Sequence, residues 1–188
     1  MQHTVPSIKT ILEGHQPKKL TILQTHSAAV LMPIVQQNNS LHLLFTKRTD
    51  VVEHHKGQIS FPGGMMDDGD ESVVHTALRE TEEEIGLPSS AVSIIGQLDD
   101  IHVPSGFIVT PIVGYIESLP ALSTSQDEVA EILFIPIEKF FDPALRRSET
   151  RTLKNVTRQV YFYDVWKEPV WGATAFIIKQ FTDLMESQ

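Results

Sequence analysis

Residues 64–86 allow essentially one local structure, a helix held between a glycine turn and a glycine stop. Asp70 reads as its N-cap, residues 71–85 as the helix and Gly86 as its end, because glycine takes the left-handed conformation that closes a helix without steric cost. Val73, Val74, Ala77, Leu78, Thr81 and Ile85 supply its buried stripe. Such a stripe needs an apolar surface opposite it, and apolar runs on either side predict strands. Residues 27–35 and 41–47 form a hairpin across a polar turn, followed by strands at 92–97, 107–117, 129–135 and 160–166. A second helix is expected over 173–185 and a short one over 137–141, before Pro143; Trp171 and Phe176 read as core. Strands mixed with helices, but without repeated βαβ spacing, predict an α/β fold with a mixed sheet covered by helices.

Composition narrows the function. At 188 residues and 41% hydrophobic content, the chain suits one domain, with no repeat, low-complexity tract or linker. No run reaches the roughly 20 apolar residues that cross a bilayer, and residues 1–19 lack the pattern of a secretion signal. A cytoplasmic location and no membrane association are therefore expected. The absence of cysteine excludes disulfides, thiolate nucleophiles and thiolate zinc sites. A formal net charge of −9 argues against nucleic acid as a partner, yet metal ions can bridge acidic side chains to a small anion.

The acidic side chains are unevenly placed. In Arg79-Glu80-Thr81-Glu82-Glu83-Glu84-Ile85-Gly86-Leu87, residues Glu80, Glu83 and Glu84 stand at i, i+3 and i+4 and rise from one helical face. Like charges at that spacing cost about 0.2–0.5 kcal/mol per pair. They also crowd the last turn, where the helix dipole disfavours anions. A solvated acidic face is the plain reading, but a divalent cation would turn this repulsion into shared coordination. Magnesium fits, since it binds through few carboxylates together with substrate phosphates. Upstream, Phe61-Pro62-Gly63-Gly64 joins a rigid turn to two residues without a β-carbon, so that backbone and a bulky anion can approach closely.

Other polar groups are read more plainly. His54 and His55 form a solvated pair. The basic segment with Arg146, Arg147, Arg151, Lys154 and Arg158 is a solvated loop or a holder of an extra phosphate. Arg79 either orients a neighbouring carboxylate or pairs with Glu83 on the helix surface.

Residues 64–87 resemble the Nudix box, G-x5-E-x7-R-E-U-x-E-E-x-G-U, in which U is a bulky aliphatic residue. Glu71, Arg79, Glu80, Glu83, Glu84, Gly86 and Leu87 match, whereas six residues rather than five separate Gly64 from Glu71 and Thr81 replaces an aliphatic residue. Residues 44–64 resemble the signature L-[LV]-T-x-R-[SA]-x3-R-x3-G-x3-F-P-G-G of the coenzyme A diphosphatases within that family. Spacing is kept, with departures at Phe45, Thr49 and Glu53. The likeness continues in residues 104–111, 127–129 and 171–175.

The resemblance implies a Nudix α/β/α sandwich over residues 27–188, with residues 1–26 as an extension packed on it. It further implies hydrolysis of a diphosphate bond in a nucleotide derivative, most closely coenzyme A or an acyl-CoA. Glu80, Glu83 and Glu84 would hold Mg2+, with Mn2+ as the alternative. Glu80 or Glu128 would act as base and Arg79 as orienting group. Arg48, Gly57, Gly63 and Gly64 would bind a small nucleotide substrate, in a monomer or a homodimer. Two other readings stand beside it: the same chemistry on ADP-ribose, dinucleotides or nucleoside triphosphates, and a non-catalytic nucleotide-binding module.

Overall fold

The structure is a computed structural model that describes residues 3–49, 57–153 and 156–187. In chain order the elements are α1 (Val5–Gly14), β1 (His26–Gln37), β2 (Ser40–Arg48), β3 (Ile59–Ser60), β4 (Gly63–Met65), α2 (Val73–Ile85), β5 (Ser93–Gln97), β6 (Ile101–His102), β7 (Phe107–Ile116), β8 (Val129–Pro136), β9 (Arg146–Leu153), β10 (Val156–Tyr163), β11 (Val170–Trp171) and α3 (Gly172–Glu186). Eight strands form one mixed sheet in the order β3-β2-β1-β7-β5, with β4 on β1, β6 on β7 and β8 on β2. Its spine is the parallel pair β1–β7, which runs from His26 opposite Phe107 to Val35 opposite Ile116. The remaining three strands make a separate antiparallel sheet, β11-β10-β9.

Residue alternation decides what each face holds. Along β1, Ala29 and Leu31 pack with Ala77, Ile85 and Leu87, so α2 covers this side. Met32 and Ile34 point the other way, into a cluster with Ile8 and Leu12 of α1 and Ile178 and Phe181 of α3. With both faces covered, the central strands read as nearly continuous apolar runs. Each fully buried large side chain contributes about 1.5–3 kcal/mol. The expected layered sandwich follows.

The hairpin turn falls on Asn38 and Asn39, both at positive φ (48° and 62°), as a tight two-residue connection requires. Gly86 ends α2 at φ 66°, as expected. The start of that helix differs. It begins at Val73 with Ser72 as N-cap, its hydroxyl accepting the His75 N–H at 3.1 Å, because the Asp70 carboxylate is engaged elsewhere.

Other expectations need correction. The short helix expected at 137–141 is present as a 3-10 helix, whereas the strand expected at 160–166 runs Val156–Tyr163. Trp171 and Phe176 are 38% and 40% exposed rather than core. They lie where α3 leaves the small sheet, stacked on Phe162 and Tyr161 respectively. The basic segment places Arg146, Arg147 and Arg151 on β9 and Arg158 on the paired β10, so that these residues are strand and not loop. The β9 arginines are committed: Arg146 to Glu186, Arg147 to Asp164 and Glu149, and Arg151 to Glu149.

Candidate active site

The glycine turn is fixed to the sheet before it meets α2. Phe61 stacks on Phe45 with ring centroids 4.7 Å apart, and the Pro62 carbonyl accepts the Leu31 N–H at 2.9 Å. β4 then pairs with β1, placing Gly63 opposite Val30 and Gly64 opposite Ala29. The two glycines serve different ends. A β-carbon on Gly63 (φ +146°) would lie 2.3 Å from the Ala29 carbonyl oxygen, which is backbone and cannot yield. One on Gly64 would lie 2.4 Å from the carboxyl of Glu80, a side-chain end that can swing away.

Gly64→Ala is therefore expected to lower turnover about tenfold or more through displacement of Glu80, with little change in melting temperature. Gly63→Ala is expected to lower the melting temperature itself. Steady-state kinetics beside thermal denaturation distinguishes the two outcomes.

Arg79 organises the near side of the helix. Its Nε and Nη2 both donate at 2.9 Å to the Asp70 carboxylate, whose side chain is 2% exposed. Thr76 Oγ1 (2.9 Å) and the Asp67 N–H (3.0 Å) donate to the same carboxylate. Chiefly through the Arg79 hydrogen bonds, Asp70 is held well below the usual carboxylate range. The rest of the guanidinium reaches Glu80 Oε1 at 3.0 Å, Glu83 Oε2 at 3.1 Å and the Met65 carbonyl at 3.2 Å. Both readings of Arg79 thus coexist. Asp70, read beforehand only as a cap, emerges as its anchor, whereas Glu71 is exposed. The sequence carried the signal, since five residues separate Gly64 from Asp70, the spacing the box pattern asks of its acid.

Glu84 takes the opposite direction. It is 6% exposed, its Oε2 is buried without a hydrogen-bond partner among the described residues, and burial pushes its carboxyl up to about 8. The Arg48 charge and a backbone hydrogen bond at Gly63 oppose this shift, while Glu128 and Glu80 reinforce it. Burial also raises Glu80, against the pull of Arg79.

Glu80 and Glu83 thus meet Arg79, and Glu84 is buried toward Gly63, where it still feels the Glu80 charge. Among the described residues, no three acidic or histidine side chains form a ready cation cage. Arg48 is half-buried, its Nε has no hydrogen-bond partner among the described residues, and its backbone N–H donates to the Gln58 carbonyl at 3.0 Å. Gly57 lies next to Gln58 at φ 64°. Glu128 is exposed at the start of β8. His54, His55, Glu53 and Lys154 fall outside the described residues.

A buried carboxylate oxygen without a donor is what a cation-binding group looks like when protein alone surrounds it, and the oxygen-only donor set suits a hard divalent ion. Glu80, against Gly64, and Glu84, toward Gly63, fit that role. An acid-bearing helix after a glycine turn on a mixed sheet defines a class, and sequence comparison places the chain in it: residues 25–159 match the NUDIX domain, so the chain belongs to the Nudix family. These hydrolases act on phosphorus-containing acid anhydrides, bind small nucleotide substrates and generally use divalent metal ions.

Among relatives, the chain is 41% identical over 173 residues to the Yersinia enterocolitica protein named Uncharacterized Nudix hydrolase NudL, covering 90% of this chain and 86% of that one. The protein of the same name from Photorhabdus laumondii is 37% identical over 164 residues, covering 87% of each. A crystal structure of a MutT/nudix family protein from Enterococcus faecalis matches 98% of this chain and 70% of its own at a TM-score of 0.54 and 15% identity, a likeness of fold. No helix among the described residues is long and apolar enough to cross a membrane.

Proposed function

We propose that the chain hydrolyses the diphosphate bond of coenzyme A or an acyl-CoA, giving 3′,5′-ADP and the (acyl-)phosphopantetheine. The observation that carries the catalytic part is the buried, partnerless Oε2 of Glu84 beside Glu80 and the glycine turn. Glu80, Glu84 and Glu83 would hold Mg2+, or Mn2+ in its place. A bound divalent ion supplies charge neutralisation on the bridging phosphates and an acidified water.

The chain's own groups do the rest. Gly63 and Gly64 let the diphosphate lie against the backbone, Arg48 and Gly57 border it from the end of β2, and Arg79 keeps Glu80 and Glu83 in place. Glu128, exposed and carried on the segment that docks on the end of α2, accepts the proton of the attacking water. The substrate assignment is supported by the preserved spacing of residues 44–64 and by the matching segments beyond the box.

Incubation with coenzyme A and magnesium, followed by chromatography of the products, is expected to yield 3′,5′-ADP. If coenzyme A stays intact while ADP-ribose is consumed under the same conditions, the substrate assignment is wrong and the chemistry stands. Unchanged, magnesium-dependent turnover in both Glu80→Gln and Glu84→Gln would refute the metal site.

A further inference from the structure

Thr49 occupies the position at which the coenzyme A signature has Ser or Ala, and it is 6% exposed at the end of β2. The β2–β8 register slips just before it. Lys47 pairs with Glu131, yet Arg48 pairs with Val129, so that Ala130 is an extra residue on β8. Such a bulge re-aims the chain that follows. It brings both donors of Thr49 onto one peptide segment: the N–H donates to the Glu128 carbonyl at 3.0 Å, and Oγ1 donates to the Asp127 carbonyl at 2.9 Å.

The same segment is tied from the other side to the end of α2. The Ser125 N–H donates to the Glu84 carbonyl at 2.9 Å and the Ser123 N–H to the Ile85 carbonyl at 3.0 Å. Within the segment, the N–H groups of Glu128 and Val129 both donate to the Ser125 carbonyl, at 3.1 and 2.8 Å. The backbone that carries Glu128 is thus fixed against the helix bearing Glu84, while Glu128 itself is exposed.

We propose that Thr49 is a positioning residue whose hydroxyl and N–H set the place of Glu128 relative to the carboxylates of α2. The inference rests on the reading of Glu128 as the base. It gives a purpose to a hydroxyl that the alanine allowed by the signature would lack. One lost hydrogen bond at an exposed segment leaves the fold intact but widens the spread of positions open to Glu128, and a misplacement of about 1 Å is enough to slow a proton transfer.

The test uses the full chain with magnesium and, as separate substrates, coenzyme A and ADP-ribose. Thr49→Val, which keeps shape and N–H, is expected to lower kcat about tenfold with KM nearly unchanged, and Thr49→Ser to restore it. In a Glu128→Gln background, Thr49→Val is expected to cost nothing further, and amide hydrogens at 125–129 are expected to exchange faster in Thr49→Val. Full activity of Glu128→Gln would remove the base and the inference with it. If Glu128→Gln is impaired but Thr49→Val is fully active, or multiplies the loss in the Gln background, the inference falls and the base survives. Unaltered amide exchange in Thr49→Val would also overturn it.

Discussion

Replacing Glu84 by glutamine is expected to reduce turnover by about a hundredfold or more while making the metal-free protein more stable at neutral pH. The two effects share one cause, a buried carboxyl that feels the Glu128 and Glu80 charges and has one oxygen without a hydrogen-bond partner among the described residues. Its folded-state pKa is raised from 4.5 to about 8. The stability it contributes is therefore complete below its unfolded value and is lost as pH climbs through the folded one. Metal-free wild-type protein should weaken across that window, whereas the Gln variant should lack this component. Magnesium should restore the wild type alone, since an ion that binds only the folded state stabilises it by mass action. Urea denaturation over that pH range, with chelator or with magnesium, reads all of this. Parallel curves for the two proteins would show that burial of the charge is not felt.

Asp70→Asn is expected to lower turnover about tenfold to a hundredfold and to reduce the melting temperature. The amide oxygen can still accept from the Asp67 N–H, Thr76 Oγ1 and Nη2 of Arg79, but its NH2 then faces the Nε–H of Arg79, so that the two-oxygen grip on the guanidinium is lost. With its anchor weakened, Arg79 no longer holds Glu80 and Glu83 in register with the Met65 carbonyl. Glu71→Gln is the control and should change neither quantity, because that residue is exposed. Kinetics together with calorimetric titration of magnesium distinguishes a displaced carboxylate from a general loss of fold. Equal behaviour of the Asp70 and Glu71 variants would discard the anchor.

The contrast between these two acids shows where sequence reading stops. Residues 73–85 have helical period and a glycine stop, so that α2 and the side to which Glu80, Glu83 and Glu84 belong could be read directly. Residues 65–72 have no period. The extra residue could be absorbed before or after the acid, and only the path of the loop decides that Asp70 reaches Arg79. Which way each glutamate turns was equally hidden: it depends on Arg79 competing for Glu80 and Glu83, and on Gly63 and Arg48 near Glu84.

The same limit explains the elements that were missed. β9 is mostly charged and polar, and its strand character comes from pairing with β10. α1 is short but does carry local signals, a Thr4–Ser7 capping box and Pro6 in its first turn. Trp171 and Phe176 satisfy an apolar pattern, yet they lie outside the packed layers because α3 starts at the rim of the small sheet.

The face of the large sheet opposite α2 is closed by the two ends of the chain, Ile8 and Leu12 from one and Ile178 and Phe181 from the other. Every carboxylate assigned to the site falls within the span that matches the family, residues 25–159, and none of these four plugs does. A fragment trimmed to that span would keep its chemistry on paper and lose its roof, leaving Met32, Ile34 and Val113 bare to water or to another copy with the same wound.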